Sequence, residues 1–202
     1  MELKILGTDI NDYLENTYYV DYESEAIKAV QNELFSQYDD EISKIQKAYH
    51  FVRDNISHSW DIQSRRITVK ASEVLKCREG ICYAKSNLLA ALLRSQKIPT
   101  GFCYQRLTLG DTPDTGYCIH ALNAVYVESI NKWIRLDARG NKEGICAKFS
   151  LEEEILAFPI REEYQEVDYD SIYPEPHFET MKILQESYDC LEMYTKFLPD
   201  SI

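Results

Sequence analysis

The stretch of sequence that decides the fold is residues 80–94, which read GICYAKSNLLAALLR. Its leucines recur at helical spacing and Pro99 follows the pattern, so the sequence predicts a helix from Cys82 to Gln96. Cys82 then stands in the first turn of that helix, where unpaired backbone N–H groups and the positive end of the helix dipole favour a thiolate over a thiol. A cysteine in this position is a candidate nucleophile.

Residues before this stretch predict further helices. Apolar residues recur at helical spacing from Tyr22 to Gln37 and again from Asp40 to Ile56, which is typical of two amphipathic helices. Residues 55–69 are polar and irregular, and residues 71–75 predict a short helical turn.

After Pro99 the apolar residues recur with a period of two, which is typical of strands. Strands are predicted at Thr100 to Leu107 and at Cys118 to Val127, with a loop at Gly110 to Gly116 between them. A third strand is predicted at Trp133 to Asp137. The order of the predicted elements, with helices first and antiparallel strands after them, predicts an α+β fold rather than repeated βαβ units.

The C-terminal residues 150–202 are acidic and rich in tyrosine, and they predict a last helix at about Phe178 to Leu198. Their apolar side chains would be costly to leave in water, and a segment this short cannot bury enough of its own surface. We therefore expect them to dock on a core at about residues 40–140, so that residues 1–202 form a single domain with extra helices at both ends.

Composition and charge exclude some partners. The 202-residue chain has a formal net charge of −12 and no basic stripe, which argues against nucleic acid or an anionic membrane surface as a partner. The sequence does not open on a basic segment followed by a long apolar run, and this predicts a cytoplasmic protein. In such a reducing compartment its six cysteines are expected to be free thiols.

A thiol nucleophile needs a base, and the chain has four histidines. His120 is favoured because it lies in a predicted strand among apolar neighbours, where an imidazole needs a polar partner. His58 lies in the irregular segment and stays an alternative. His50 on a predicted helix and His177 before the last helix are not favoured.

Asp137 is predicted to be the polar partner of His120. If a two-residue loop at Glu128-Ser129 joins the two strands, His120 lies directly opposite Asp137. Another loop of even length would shift the pair along the strands but keep both on one face, whereas a three-residue loop would separate them. A carboxylate there orients the imidazole, so Cys82, His120 and Asp137 form a candidate catalytic triad.

Three blocks of this sequence resemble the transglutaminase-like cysteine enzymes, which share a papain-like fold. The blocks are GICYAKSNLLAALLR at 80–94 with Ile98-Pro99, HALNAVYV at 120–127 and WIRLD at 133–137. The resemblance covers about residues 40–140. A fuller run, which includes GFCYQRL at 101–107 and DARGNK at 137–142, is similar to a bacterial branch of the superfamily over nearly the whole chain.

The resemblance implies a nucleophile-bearing helix packed on an antiparallel sheet. It also implies acyl transfer through a thioester at Cys82, with His120 as general base and then acid and Asp137 as its orienter. The chain departs from the family's usual residues beside the histidine, at Leu122 and Ala124, and also at Ala138 after the aspartate. Because neighbours of the histidine line the cleft, the family's substrate preference does not transfer.

Three functions are compatible with this reading. With water as the acyl acceptor, which we favour, the protein hydrolyses an amide or peptide bond of a peptide, a protein or a small amide. With an amine as the acceptor it is a protein-glutamine transglutaminase. A catalytically silent member of the fold would bind a peptide or protein in the same cleft.

The oxyanion hole is expected to use the backbone N–H of Cys82 and one side-chain donor. Gln105, on the strand after the helix, and Trp60, in the irregular segment before it, are candidates for that donor, although ordinary packing explains either residue as well.

A metal site is disfavoured, because Cys-x4-Cys followed by Cys-x-His is not a familiar zinc spacing. The residues that such a site would use are Cys77, Cys82, Cys118 and His120. We predict neither a metal nor another cofactor.

Overall fold

The computed structural model describes residues 2–110 and 112–202. Its α-helices in those residues are α1 (Glu25–Leu34), α2 (Glu41–Asn55), α3 (Ala71–Cys77), α4 (Cys82–Ser95), α5 (Phe178–Glu186) and α6 (Cys190–Lys196). Its strands there are β1 (Lys4–Ile5), β2 (Ser57–His58), β3 (Glu79–Gly80), β4 (Thr100–Thr108), β5 (Tyr117–Val127), β6 (Lys132–Leu136), β7 (Val167–Asp168) and β8 (Ser171–Ile172). Short 3-10 helices lie at Ile10–Leu14, Pro113–Thr115, Glu128–Ile130 and Glu162–Tyr164.

The central sheet has four strands in the order β6-β5-β4-β7, and each neighbouring pair is antiparallel. Two further pairs of short strands, β1 with β8 and β2 with β3, are parallel. Helix α4 packs against β5 on one side and against α2 and α3 on others. The predicted α+β class, with the cysteine-bearing helix on an antiparallel sheet, is confirmed.

Helix α4 is the centre of the core. Its residues are buried continuously from Cys82 to Arg94, because alanines and leucines leave no polar face on most of its surface. Each fully buried leucine contributes about 1.5–3 kcal/mol relative to an exposed one. The predicted helix over Cys82 to Gln96 is confirmed, with its end one residue earlier, at Ser95. The burial fixes the position of its first turn, where Cys82 lies.

The far end of α4 is held by Arg94, whose guanidinium is fully buried and donates to backbone carbonyls. Its Nε and Nη2 bond the carbonyl oxygen of Thr100 at 3.0 and 2.8 Å, and its Nη1 bonds that of Glu15 at 3.0 Å. Nη2 also bonds the carbonyl of Pro174. A buried cation is tolerated when its donors are satisfied in this way, and these bonds tie α4 to both ends of the chain.

The hairpin between β5 and β6 has a different loop from the one predicted. Asn123 pairs with Leu136 and Val127 pairs with Lys132, so four residues rather than two form the loop. The loop contains a 3-10 turn and ends at Asn131, whose φ of 50° is left-handed, a conformation that asparagine tolerates better than most residues. His120 is therefore not directly opposite Asp137. Because the shift is even, the two still share one face of the sheet.

The predicted last helix over Phe178 to Leu198 is wrong in its continuity. It is two helices, α5 and α6, separated at residues 187–189. The Asp189 side chain accepts hydrogen bonds from the N–H groups of Leu191 and Glu192, and so begins a new helix. The helix predicted from Tyr22 to Gln37 is also shorter in the structure, where it runs over Glu25–Leu34.

Residues after 150 contact the sheet and the N-terminal segment. Strand β8 pairs with β1, and β7 pairs with β4. Tyr173 and Phe102 exchange two backbone hydrogen bonds, of 2.8 and 2.9 Å. Near the chain end, the carbonyl of Pro199 accepts a 2.8 Å bond from the N–H of Ile119 in β5. The C-terminal residues therefore lie along the strand that carries His120.

Among residues 2–110 and 112–202, no helix has both the length and the apolar character that crossing a bilayer requires.

Candidate active site

A cavity of about 620 Å³ lies at the N-terminus of α4. Cys82 and His120 line it, together with His58, Trp60, Phe158 and Tyr194. Cys82 is 8% exposed, so its side chain is largely buried but reachable from the cavity.

The first turn of α4 presents Cys82 with free backbone donors. The first intrahelical bond runs from Lys85 N to Ile81 O at 3.0 Å, which leaves the earlier N–H groups of the helix without helical acceptors. Gly80 allows the tight approach to this turn, since a Cβ there would lie 3.0 Å from Thr68 Oγ1 and 3.2 Å from Ala84 Cβ. Donors and dipole together favour negative charge at this end of the helix.

His120 and Asp137 form a buried hydrogen-bonded pair. His120 Nε2 lies 2.8 Å from Asp137 Oδ2, and both side chains are almost fully shielded from solvent. This bond uses Nε2, which leaves Nδ1 as the ring nitrogen available to Cys82. The pairing predicted for these two residues is thus present in the structure, at the register described above.

Asp137 is held by two backbone donors in addition to His120. Its Oδ1 accepts a 3.0 Å bond from the N–H of Arg139, and its Oδ2 accepts a 3.1 Å bond from the N–H of Ala157. Burial alone would raise the pKa of Asp137, but the charge and hydrogen bond of His120 and these two N–H groups lower it below its ordinary value. The carboxylate is therefore ionised and fixed in orientation.

The electrostatic surroundings keep His120 protonated. Burial lowers the pKa of His120, but the charges of Asp137 and Cys82 and hydrogen bonds with both raise it, to about 10. The ring of Phe158 packs edge-on against the imidazole, with centroids 5.0 Å apart. We call His120 and Phe158, which line the cavity, together with Asp137, which is buried and bonded to the His120 ring, the His120 wall.

Tyr83, the residue after Cys82, fixes α4 against this wall. Its buried hydroxyl donates a 2.8 Å hydrogen bond to the carbonyl of Ile119, the residue before His120. This bond and a 3.2 Å bond from Asn123 Nδ2 to the carbonyl of Ser86 hold the cysteine's helix against the histidine's strand.

His58, Trp60 and Tyr194 also line the cavity, and we call these three residues the His58 wall. The Trp60 and Tyr194 rings are stacked, with centroids 4.4 Å apart and planes at 15°. His58 meets Tyr194 edge-on at 6.1 Å. Trp60, predicted as a candidate oxyanion donor, therefore lies at the cavity. Gln105, the other candidate, pairs directly with His120 across β4 and β5 but is buried away from the cavity lining.

Ion pairs hold two cationic side chains of the cavity lining. Asp61 accepts two bonds from the Arg139 guanidinium, at 2.7 and 2.9 Å, and one from Lys142 Nζ at 2.6 Å. Burial raises the pKa of Asp61, but these two cations outweigh it and lower the pKa to about 2. Arg139 and Lys142 also line the cavity.

The remaining candidates from the sequence lie elsewhere. Neither His50 nor His177 lines the cavity, and His177 caps α5 by accepting a 3.4 Å bond from the N–H of Glu179. In the described part of the chain, no three His, Cys, Asp or Glu residues gather as a metal site would require. Of the residues that a zinc site would use, Cys82, Cys118 and His120 line the cavity and Cys77 does not.

The sequence matches a known protein family. The model of the transglutaminase-like superfamily matches residues 28–138, which is more than half of the chain and includes Cys82, His120 and Asp137. This chain belongs to the transglutaminase-like superfamily.

Solved structures resemble this transglutaminase-like chain at low identity. A candidate cysteine protease from Cytophaga hutchinsonii is 21% identical, with a TM-score of 0.52 over 66% of this chain and 43% of that one. A TGase is 13% identical, with a TM-score of 0.42 over 82% of this chain and 45% of that one. The chain spans less than half the length of either, and the first likeness supports the fold alone. None of the curated proteins matches it.

Three features of this transglutaminase-like site were not predicted from the sequence. They are the bond from Tyr83 to the carbonyl of Ile119, the bond from Ala157 to Asp137, and the position of His58 at the cavity. The first two join residues far apart in sequence and leave no periodic signal. His58 was kept as an alternative base, but its pairing partner in β3 lies 22 residues away and is not visible in the pattern.

Proposed function

We propose that this protein transfers acyl groups through a thioester at Cys82. The observation that carries the proposal is that His120, held by a buried 2.8 Å bond to Asp137, lines the same cavity as Cys82, the residue that begins a buried helix. These are the three groups that thiol-dependent acyl transfer needs: a nucleophile, a proton carrier and an orienter.

The raised pKa of His120 sets the starting state of the reaction. At neutral pH the imidazole holds a proton, and in our proposal Cys82 attacks as the thiolate beside this imidazolium. The thiolate attacks the carbonyl carbon of an amide and forms the C–S bond. His120 gives its proton to the leaving nitrogen as the C–N bond breaks.

The second half of the reaction restores the site. Water attacks the thioester carbonyl while His120 takes one of its protons, and the C–S bond then breaks to release a carboxylic acid and the Cys82 thiolate. Asp137 keeps its proton-free state throughout and holds the imidazole in orientation, in line with its lowered pKa.

Hydrolysis is favoured over amine transfer. An enzyme that transfers an acyl group to an amine must keep water from the thioester. The cavity here is much larger than a water molecule, and charged residues such as Arg139, Lys142 and Glu143 line it. A cavity of this size with a charged lining does not exclude water from Cys82. The substrate we propose is a peptide, a protein or a small amide, with the stacked Trp60 and Tyr194 as an apolar contact for it.

The test of the proposed function uses thiol labelling and turnover together. Brief, substoichiometric iodoacetamide followed by mass spectrometry should label Cys82 before the exposed Cys146. With p-nitrophenyl acetate as substrate, Cys82→Ala should lower the single-turnover acylation rate by several orders of magnitude, whereas Cys146→Ala should not change it. Equal labelling of all accessible thiols, or acylation that survives Cys82→Ala, would refute the proposal.

We also propose that residues 150–202 belong to the same folded unit as the triad. The bond from Ala157 N to Asp137 and the bond from Ile119 N to Pro199 support this. Limited proteolysis should leave the chain largely intact. Rapid cleavage near Glu152 to Glu154 that releases a folded, soluble fragment of residues 1–150 would contradict it.

A further inference from the structure

His58 is a buried polar side chain at the cavity for which the mechanism above has no role. It is 4% exposed and lines the cavity beside Trp60 and Tyr194. Its Nδ1 is sealed from solvent and has no hydrogen-bond partner in the described part of the chain. Because Nδ1 is sealed, a substrate in the cavity can meet this imidazole only through its other ring edge, which carries Nε2.

The proposed reaction needs such a group. When the Cys82 thiolate adds to a carbonyl carbon, the carbonyl oxygen becomes an oxyanion, and fixed donors aimed at that oxygen accelerate the step. The backbone N–H of Cys82 supplies one donor, because it lies in the first turn of α4 and has no helical acceptor. A second donor must come from a side chain near the same turn.

The strand pair β2 and β3 brings His58 to this turn. His58 pairs with Gly80, two residues before Cys82, and the N–H of Ser59 bonds the carbonyl of Gly80 at 3.2 Å. His120 reaches the cavity on β5, a different element. In acyl transfer the leaving group must face the proton carrier, so a donor on an element other than that of His120 is suited to the oxyanion.

We propose that His58 is the second oxyanion donor, and that it uses Nε2–H, the ring nitrogen that is not sealed inside the fold. This assignment rests on the proposed function, since without a thioester there is no oxyanion to stabilise. It replaces Gln105, which lies beside His120 and does not line the cavity, and it competes with Trp60, which does.

The charge state of His58 suits this role. Burial lowers the pKa of His58 well below its ordinary value, the positive charges of Arg139, Lys85 and His120 lower it further, and only Asp61 opposes them. The imidazole is therefore neutral at neutral pH and carries one N–H donor. A neutral donor does not repel the imidazolium of His120, and its lowered pKa makes His58 the weaker base of the two.

The test compares two reactions of Cys82 in the full chain. In acylation by p-nitrophenyl acetate, Sγ adds to the carbonyl carbon, an oxyanion forms, and the C–O bond to p-nitrophenolate breaks. In alkylation by iodoacetamide, Sγ displaces iodide from a saturated carbon, and no oxyanion forms. A donor to the oxyanion accelerates only the first reaction, whereas a residue that merely shapes the site affects both.

The variants are His58→Leu, His58→Gln, Trp60→Phe and the control His50→Gln, which lies on α2 away from the cavity. His58→Leu should lower the rate of acylation about 10²-fold while the rate of alkylation stays unchanged, because the loss of one oxyanion donor typically costs about 10²–10³ in rate. His58→Gln restores an N–H donor and should recover part of the acylation rate. His50→Gln should match the wild type in both reactions.

Three results would overturn the assignment. Acylation of His58→Leu at the wild-type rate would remove His58 from the oxyanion hole, and a 10²-fold loss in Trp60→Phe instead would give the role to the Trp60 indole N–H. Equal losses of acylation and alkylation in His58→Leu would make His58 a structural residue. Acylation of the wild type no faster than that of Cys82→Ala would refute the proposed function and the His58 assignment together.

Discussion

The two walls of the cavity each bury a histidine, but only the His120 wall supplies a carboxylate partner. His120, bonded to Asp137, has its pKa raised to about 10, whereas the pKa of His58 lies well below 6.5. Burial disfavours the charged form of both rings. At His120 the charges and hydrogen bonds of Asp137 and Cys82 reverse the effect, so the neighbours rather than the depth decide whether an imidazole is a cation or a neutral donor.

The variant with the largest expected effect removes the carboxylate partner of His120. Asp137→Asn should lower turnover about 10⁴-fold, as the loss of the orienting carboxylate does in a Ser-His-Asp triad. The titration midpoint of the His120 ring, followed by NMR, should move down from about 10 because the charge of Asp137 is among the causes that raise the pKa. Steady-state kinetics on the ester probe measures the first effect.

The same variant has a stability control. Asp137 accepts three hydrogen bonds, and an asparagine has only one acceptor oxygen, so we expect a loss of about 1–3 kcal/mol and a Tm lower by several degrees, with the fold retained. Asp54→Asn, outside the cavity lining, should leave turnover unchanged. Full activity in a folded Asp137→Asn protein would mean that Asp137 does not orient His120.

The pH dependence of the protein's stability tests the other half of this comparison, the lowered pKa of His58. An unfolded chain protonates His58 as pH falls through about 6.5, whereas the folded chain resists this because burial lowers the pKa. The folded state therefore loses stability below pH 6.5, by at most about 1.4 kcal/mol per pH unit. His58→Gln removes this contribution, so between pH 6.5 and 5 its Tm should fall less than that of the wild type.

Thermal melts at a series of pH values measure this difference, with His50→Gln as the matched control. Parallel curves for the wild type and His58→Gln would show that His58 takes up its proton equally in both states, contrary to its burial.

The smallest expected effect comes from the bond that fixes α4 against the His120 wall. Tyr83→Phe leaves the buried carbonyl of Ile119 without its donor and should cost about 1 kcal/mol, or roughly 2–4 °C in Tm. Turnover should fall on the order of tenfold, because a small misplacement of the reacting groups is costly. Tyr126→Phe, which removes an exposed hydroxyl on the same strand, is the control. Equal turnover in both variants would contradict the positioning role.

Much of the His120 wall could be predicted from the sequence, and little of the His58 wall. Any loop of even length places His120 and Asp137 on one face of the sheet. The loop has four residues rather than the predicted two, and the two side chains still share a face. The helix that starts at Cys82 has a strong apolar pattern and a proline beyond its end.

The missed features depend on contacts that no local pattern records. Strands β2 and β3 have two residues each, too few to show a period, yet they place His58 beside Gly80. The break before α6 depends on the capping side chain of Asp189, which competes with a helical pattern that continues on both sides.

The hydrogen bond from Ala157 to Asp137 has a consequence for a chain that is still being made. A ribosome releases Cys82, His120 and Asp137 in that order, and all three emerge before residue 157 does. Until then the carboxylate lacks one of its three donors, and the imidazole that it holds is not yet fixed. We expect the nascent polypeptide to be less active until residue 157 has emerged, so the thiol is held back during most of its own synthesis.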